Sequence, residues 1–163
     1  MRKREAAIPD GIEDPLLLDR QVCFPLYAAS NLLTRLYRPV LARLGLTYPQ
    51  YLVMLVLWEH APQTVGSLGD RLHLDSGTLT PLLKRMEAAG LVIRQRDPAD
   101  ERRVCVDLTA KGRSLRRSAS EVPQTLARGL DLESLELESL RETVQKLVTV
   151  LDSSCSKESQ SKT

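Results

Sequence analysis

The residues best suited to chemistry in this 163-residue chain lie close together, between Leu18 and Tyr51: LDRQVCFPLYAASNLLTRLYRPVLARLGLTYPQY. The stretch holds Cys23 and all four of the chain's tyrosines, Tyr27, Tyr37, Tyr48 and Tyr51. Tyrosines are poor company for a cysteine that merely fills a core, because each buried phenol needs a hydrogen-bond partner. They are good company for a thiolate, to which a phenol O–H can donate and so favour the charged form. The thiolate is the species that attacks a peroxide O–O bond and becomes a sulfenic acid. The stretch therefore reads as an oxidant sensor built on Cys23, against the alternative of an inert buried thiol.

Little else in the chain competes. The other two cysteines, Cys105 and Cys155, are scattered, and an odd total of three fits neither a disulfide scaffold nor a metal-ligand spacing. That usage points to a reducing compartment, and the expected location is cytoplasmic. His60 and His73 have no acidic or cysteine neighbours at metal spacing, so no metal site is expected. With no paired resolving cysteine, catalytic triad or nucleotide loop, no catalytic residue or cofactor is assigned, and a thiol enzyme is the weaker reading. Lys+Arg number 23 against 21 Asp+Glu, a balance that neither announces nor excludes nucleic acid. No apolar run is long enough to span a bilayer, and MRKREAAIPDGIEDP lacks the apolar stretch of a secretory signal.

The elements that must position Cys23 and the tyrosines are mostly helices. With one Phe and one Trp, the core is expected to be rich in Leu, Val and Ala, with Trp58 and Tyr51 packed in it. Residues 1–15 read as a flexible tail, broken by Pro9 and Gly11. Apolar residues at helical spacing from Leu16 to Leu44 predict a long first helix, started or kinked at Pro25, with a second possible kink at Pro39 and a left-handed cap at Gly45. Thr47 caps a second helix, YPQYLVMLVLWEH, after which 61–63 reads as a turn. Short helices over Val65 to Leu72 and from about Asp75 to Gly90, joined at His73–Asp75, have the proportions of a helix-turn-helix, or equally of a helical hairpin inside a bundle.

The next stretch of chain decides between those two. Strands at 91–96 and 103–108, joined by the polar turn DPADER, form a hairpin in the position of a wing. Arg94, Arg96, Arg102 and Arg103 put four guanidinium groups on it, well suited to phosphates and narrow minor grooves. A solvated charged hairpin is the bland alternative. A fifth helix is expected from Thr109 to about Arg128 and a sixth from about Leu132, with an apolar stripe through Leu140, Val144, Leu147 and Leu151 that needs a partner surface. The fold class is thus mainly α with a small β-hairpin wing. Residues 46–109 form a winged helix-turn-helix lobe, 16–45 and 110–155 a helical dimerisation region, and 156–163 a disordered tail.

DSGTLTPLLKRMEAAGLVIRQRDPADERRV followed by LTAKG resembles the recognition helix, wing and next helix start of MarR-type regulators. LDRQVCFPLY with LTYPQYLVMLVLWEH is similar to the branch of organic-hydroperoxide sensors, the OhrR group, and the match runs from Leu18 to Leu151. The resemblance implies a homodimeric repressor that binds a double-stranded DNA operator of inverted half-sites. Carried over by motif position, Asp75, Ser76, Gly77, Thr78 and Thr80 lie at the DNA-facing start of the recognition helix, followed by Lys84 and Arg85. Arg94 sits at the start of the wing, Arg102 at its tip with Asp100 as orienting partner, and Arg103 beside it.

For the sensor, Cys23 and Tyr37 are fourteen residues apart, which on one straight helix is roughly 20 Å. Either the chain folds back at Pro25 or Tyr37 comes from another subunit. The resemblance favours the second, with Tyr37 and Tyr48 of one subunit meeting Cys23 of the other and Tyr27 as an accessory contact. An organic hydroperoxide is then the expected inducer; a non-oxidant phenolic ligand is the alternative. The chain departs from relatives that carry a second reactive cysteine near Leu126 to Leu130. A small cellular thiol is the favoured resolving partner and Cys155 the runner-up, while Cys105 reads as a packed or surface residue of the wing.

Overall fold

The computed structural model describes residues 14–130 and 133–160. The expectations for the tail at 1–13, for Leu132 and for 161–163 lie outside the described residues. After a 3-10 turn at Leu18–Arg20 come α1 (Cys23–Ala42), α2 (Tyr48–Glu59), β1 (Gln63–Thr64), α3 (Val65–Leu72) and α4 (Ser76–Ala88). They are followed by β2 (Val92–Asp97), β3 (Asp100–Leu108), α5 (Ala110–Ser118), α6 (Gln124–Leu130) and α7 (Ser134–Gln160).

Local chemistry sets most of these boundaries. Pro25 falls in the first turn of α1, where a missing N–H costs nothing, and Pro39 lies inside the helix without ending it. Gly45, at φ +66°, closes α1: the Leu46 N–H donates to the Leu41 carbonyl at 3.1 Å and the Gly45 N–H to the Ala42 carbonyl at 3.1 Å. The same pair of bonds closes α4 at Gly90, φ +69°, from Leu91 to Met86 at 3.0 Å and from Gly90 to Glu87 at 2.8 Å. Thr47 and Gln50 form a reciprocal capping box at the start of α2. Thr64 caps α3, Asp75 caps α4 and Thr109 caps α5, each accepting a backbone N–H three residues on.

The sheet is antiparallel in the order β1-β3-β2, with β2 and β3 paired from Val92–Leu108 to Arg96–Val104. Between the sheet and α2, α3 and α4 lies a core that includes Met54, Leu57, Leu68, Leu79, Leu83 and Met86. Each such aliphatic side chain contributes about 1.5–3 kcal/mol by leaving water. Among the described residues no helix is long and apolar enough to cross a membrane.

Three expectations need correction. The segment 61–63 is more than a turn, because Gln63 and Thr64 pair with Val106 and Cys105 as an edge strand. The single fifth helix to Arg128 is broken into α5, a 3-10 turn at Ala119–Glu121 and α6. Pro123 explains the break: it has no N–H to bond back into a continuing helix, and its ring crowds the carbonyl one turn earlier. At the other end α7 runs on to Gln160, five residues into the stretch expected to be disordered. SKESQ contains no glycine or proline, and extending a formed helix is far cheaper than starting one.

Candidate functional site

Cys23 is the first residue of α1, and its side chain is exposed. Tyr27 follows one turn later on the same face, also exposed. Tyr37 is near the other end of α1 and only 7% exposed. The left-handed turn at Gly45 reverses the chain and the Thr47 cap starts α2 beside α1, so Tyr48 and Tyr51 arrive next to Tyr37. The Tyr37 and Tyr48 ring centroids are 5.2 Å apart at 54°, and those of Tyr37 and Tyr51 are 6.3 Å apart at 30°.

Burial pushes the phenol pKa of Tyr37 up, helped by the neighbouring Tyr48, and burial alone pushes Tyr48 up. Tyr51 is raised from 10.0 to about 12 by burial first and then by the other two phenols. All three are therefore held as neutral O–H donors. Among the described residues neither the Tyr37 nor the Tyr48 hydroxyl finds a hydrogen-bond partner in the chain, and neither is sealed from the surface.

α1 is continuous from Cys23 to Ala42, so the chain does not fold back at Pro25 to bring Tyr37 to its own thiol. Fourteen residues of unbroken helix keep the two ends ~21 Å apart along the axis. Cys155, on α7, lines a shallow depression with His73, Val148, Leu151 and Asp152. His73 Nδ1 lies 3.5 Å from Asp152 Oδ1 there, which puts this end of α7 beside the turn between α3 and α4. Cys105 is half-buried in β3, between Gln95 and Thr64. Tyr51 is packed in the core, as expected, at 4% exposure, and from there it also contacts the Tyr37 ring. Its spacing of three from Tyr48 puts both on one helix face.

The second group of candidates surrounds α4. Asp75 accepts the Thr78 N–H at 2.9 Å through Oδ1 and the Thr78 O–H at 2.7 Å through Oδ2. The Thr78 hydroxyl and then the backbone amides hold the Asp75 carboxyl below the usual carboxylate range. That carboxylate is used as a cap and so positions the helix start. A Cβ on Gly77 would stand 2.9 Å from Asp75 Oδ1, so a side chain there would crowd the cap. Ser76, Gly77, Thr78, Thr80, Lys84 and Arg85 are exposed along the helix, and the Thr80 hydroxyl donates to the Ser76 carbonyl at 2.7 Å.

On the wing, Arg102 is 92% exposed, and its Nε donates to Asp100 Oδ1 at 3.2 Å, as expected for an oriented tip arginine. Arg103 is exposed beside it, and Arg96 Nη1 donates to the Glu101 carbonyl at 3.1 Å. Arg94, expected as a DNA contact at the start of the wing, is paired within the chain. Its guanidinium is 24% exposed and committed to Glu87 Oε2, from Nε at 3.0 Å and Nη2 at 2.7 Å, while its N–H donates to Glu87 Oε1 at 3.1 Å. Arg94 in turn holds the Glu87 carboxyl below its usual range. The pair ties the wing to the end of α4, and no sequence pattern signals it because the partners belong to different elements.

Three comparisons bear on these two groups. Residues 35–118 match a family model described as transcriptional regulator SarA/Rot. The chain is 46% identical over 139 residues to the organic hydroperoxide resistance transcriptional regulator of Bacillus subtilis, covering 85% of this chain and 92% of that one. Among solved structures, reduced AbfR bound to DNA superposes with a TM-score of 0.72 at 38% identity, covering 83% of this chain and 92% of that one. AbfR of Staphylococcus epidermidis has also been solved overoxidised on DNA and in a disulfide form. Wild-type MarR from E. coli superposes with a TM-score of 0.60 at 26% identity, covering 78% of this chain and 96% of that one.

Proposed function

Since the chain belongs to the family of MarR- and SarA/Rot-type transcriptional regulators, and is a regulator rather than an enzyme, we propose that it is a homodimeric repressor released from DNA when an organic hydroperoxide oxidises Cys23. The observation that carries this reading is the Tyr37–Tyr48 pair. These are two protonated phenols with unpartnered hydroxyls, held a full helix length from the chain's own thiol. The partner subunit's Cys23 is the group that fits them. The redox series of AbfR, similar over four-fifths of the chain, supports a cysteine-based switch on this scaffold.

The Cys23 thiolate attacks one oxygen of the hydroperoxide. The O–O bond breaks, the alkoxide leaves with a proton as the alcohol, and sulfur keeps the other oxygen as a sulfenic acid. A small cellular thiol then attacks that sulfur, forming a disulfide and releasing water. The added bulk displaces Tyr37 and Tyr48 and biases the dimer toward a spacing that no longer fits two half-sites one helical turn apart. In the bound form the start of α4, with Ser76, Gly77, Thr78, Thr80, Lys84 and Arg85, enters the major groove. Arg102 and Arg103 reach the minor groove, and Asp75 and Arg94 hold the helix start and the wing in place.

A second reading rests on an open cleft of about 600 Å³ between α2, α3 and α5, lined by Tyr51, Leu55, Trp58, Arg71 and Arg116 among others. Arg71 there is paired with Glu59, which also lines the cleft, so Arg116 beside the Tyr51 and Trp58 rings is the group left to meet a non-oxidant phenolic ligand. One experiment separates the two. Binding to the chain's own upstream DNA is measured with cumene hydroperoxide plus a small thiol, or with salicylate, for wild type and Cys23→Ser. Peroxide is expected to release the wild type and leave Cys23→Ser bound. Equal release of both by peroxide overturns the redox reading, and release of both by salicylate supports the ligand reading.

A further inference from the structure

The tyrosine cluster does not end at the sensor. Tyr37 stacks on Tyr51, and Tyr51 meets the edge of Trp58 with ring centroids 6.4 Å apart at 66°. The buried Trp58 Nε1–H donates to the Gly112 carbonyl at 2.9 Å. Gly112 is wedged against the wing base, where an added Cβ would stand 2.1 Å from the Leu91 carbonyl oxygen. Its N–H donates to Thr109 Oγ1 at 3.0 Å, whose O–H donates to the Gly90 carbonyl at 2.7 Å. The Thr109 N–H donates to the Leu91 carbonyl at 3.1 Å. Gly90 closes α4 and Leu91 leads into β2, so the end of the recognition helix, the base of the wing and the start of α5 all meet where the Trp58 indole is anchored.

Resting on the redox reading above, we propose that Tyr51 and Trp58 are positioning residues that couple Tyr37 to the wing base. They hold the Tyr37 ring in the reduced state and pass its displacement to Gly112 when Cys23 is oxidised. The physical ground is that rings in offset and edge-on contact within a close-packed core cannot move one at a time without opening a void. The last link is a hydrogen bond from a buried indole N–H, which is kept or lost as a unit. Two discrete arrangements of such a chain are what a two-state coupling requires. Neither residue needs to touch thiol, peroxide or DNA to act this way.

Trp58 is the chain's single tryptophan, so its fluorescence reports the middle of the path in the intact dimer. Cumene hydroperoxide plus a small thiol is expected to shift Trp58 emission in the wild type, at the rate of DNA release, and to leave Cys23→Ser unchanged. In Tyr51→Leu, DNA affinity is measured for the fully reduced and the fully oxidised protein, so that a changed rate of thiol oxidation does not enter the comparison. The Trp58 response should vanish there, and the ratio of reduced to oxidised DNA affinity should fall by about tenfold, within the usual range of site-to-site coupling. Tyr51→Phe, which keeps the ring, is expected to restore both. A residue that only supported the fold would weaken the reduced and oxidised states alike. Full release with a silent Trp58, or an undiminished affinity ratio in Tyr51→Leu, overturns the coupling while leaving the redox reading intact. Release of Cys23→Ser by peroxide sinks the redox reading instead.

Discussion

From Leu46 to Leu108 a single chain supplies nearly everything its structure asks for. Helix starts are capped, Glu87 takes Arg94, and Leu68, Leu79, Leu83 and Met86 are sealed in the core. The first turns of α1 and the length of α7 behave differently. They leave Leu26, Leu32, Leu140, Val144, Val150 and Leu151 facing solvent, with Leu32 at 60% exposure, and among the described residues α7 buries no side chain. Contiguous exposed apolar faces on helices mark surfaces that another chain covers. One region is finished alone and the other only in company. Cys23 lies in the unfinished region and Tyr37 at the edge of the finished one, so the proposed site made of both would report on how two subunits meet.

The sharpest way to break this contrast is to damage each region by one side chain. Val144→Asp places a charge on the α7 stripe and is expected to split the dimer without unfolding the lobe. DNA affinity should then fall by orders of magnitude, because a monomer reads one half-site. Leu83→Ala instead opens a cavity in the lobe and should cost about 2–5 kcal/mol of folding stability. Sedimentation and denaturant melts at several protein concentrations distinguish the two. If Val144→Asp stays dimeric, α7 is not the covering surface.

The same contrast explains what is legible in the sequence. The lobe's boundaries are legible because their signals are local: Thr47 with Gln50, Asp75 with Thr78, and glycines at 45 and 90 each act within five residues. β1 is not legible, because Gln63 and Thr64 are a strand only through Val106 and Cys105 some forty residues away. The break at Pro123 carries a local signal, but the apolar and basic pattern running through it reads as one helix. In the proposed sensor the types and spacing of Cys23, Tyr37 and Tyr48 are what point to the chemistry. The place of Tyr51 is harder to see, since a tyrosine in a core and one in a cluster share the same periodicity.

A smaller effect tests the division of labour on the wing. Arg102→Ala removes an exposed cation and is expected to weaken binding about equally across sequences, lowering the salt slope by about one. Arg94→Ala is expected to leave the slope nearly unchanged and to loosen the wing from α4, read as faster amide exchange in β2. Equal changes in salt slope for the two variants would return Arg94 to the DNA surface.

The smallest expected effect lies at the ends of the pH scale, where the two groups of residues respond in opposite directions. The Asp75 carboxyl is held below its usual range, so its contribution as a cap is present above 3.8 and is lost as pH falls through the lowered value. The phenols have raised values, led by Tyr51 at about 12 against the ordinary 10.0. Between about 10 and 12 the folded chain keeps protons that the unfolded chain has released, so stability falls as pH rises through that window. Denaturant midpoints measured from pH 9 to 12 should decline for the wild type and decline less steeply for Tyr51→Phe, which has no proton to lose there. The difference between the two proteins carries the information and not the slope of either. An identical decline would mean that the Tyr51 phenol is no more buried than it is in the unfolded chain. The finished side of the sensor would then extend only as far as Tyr37.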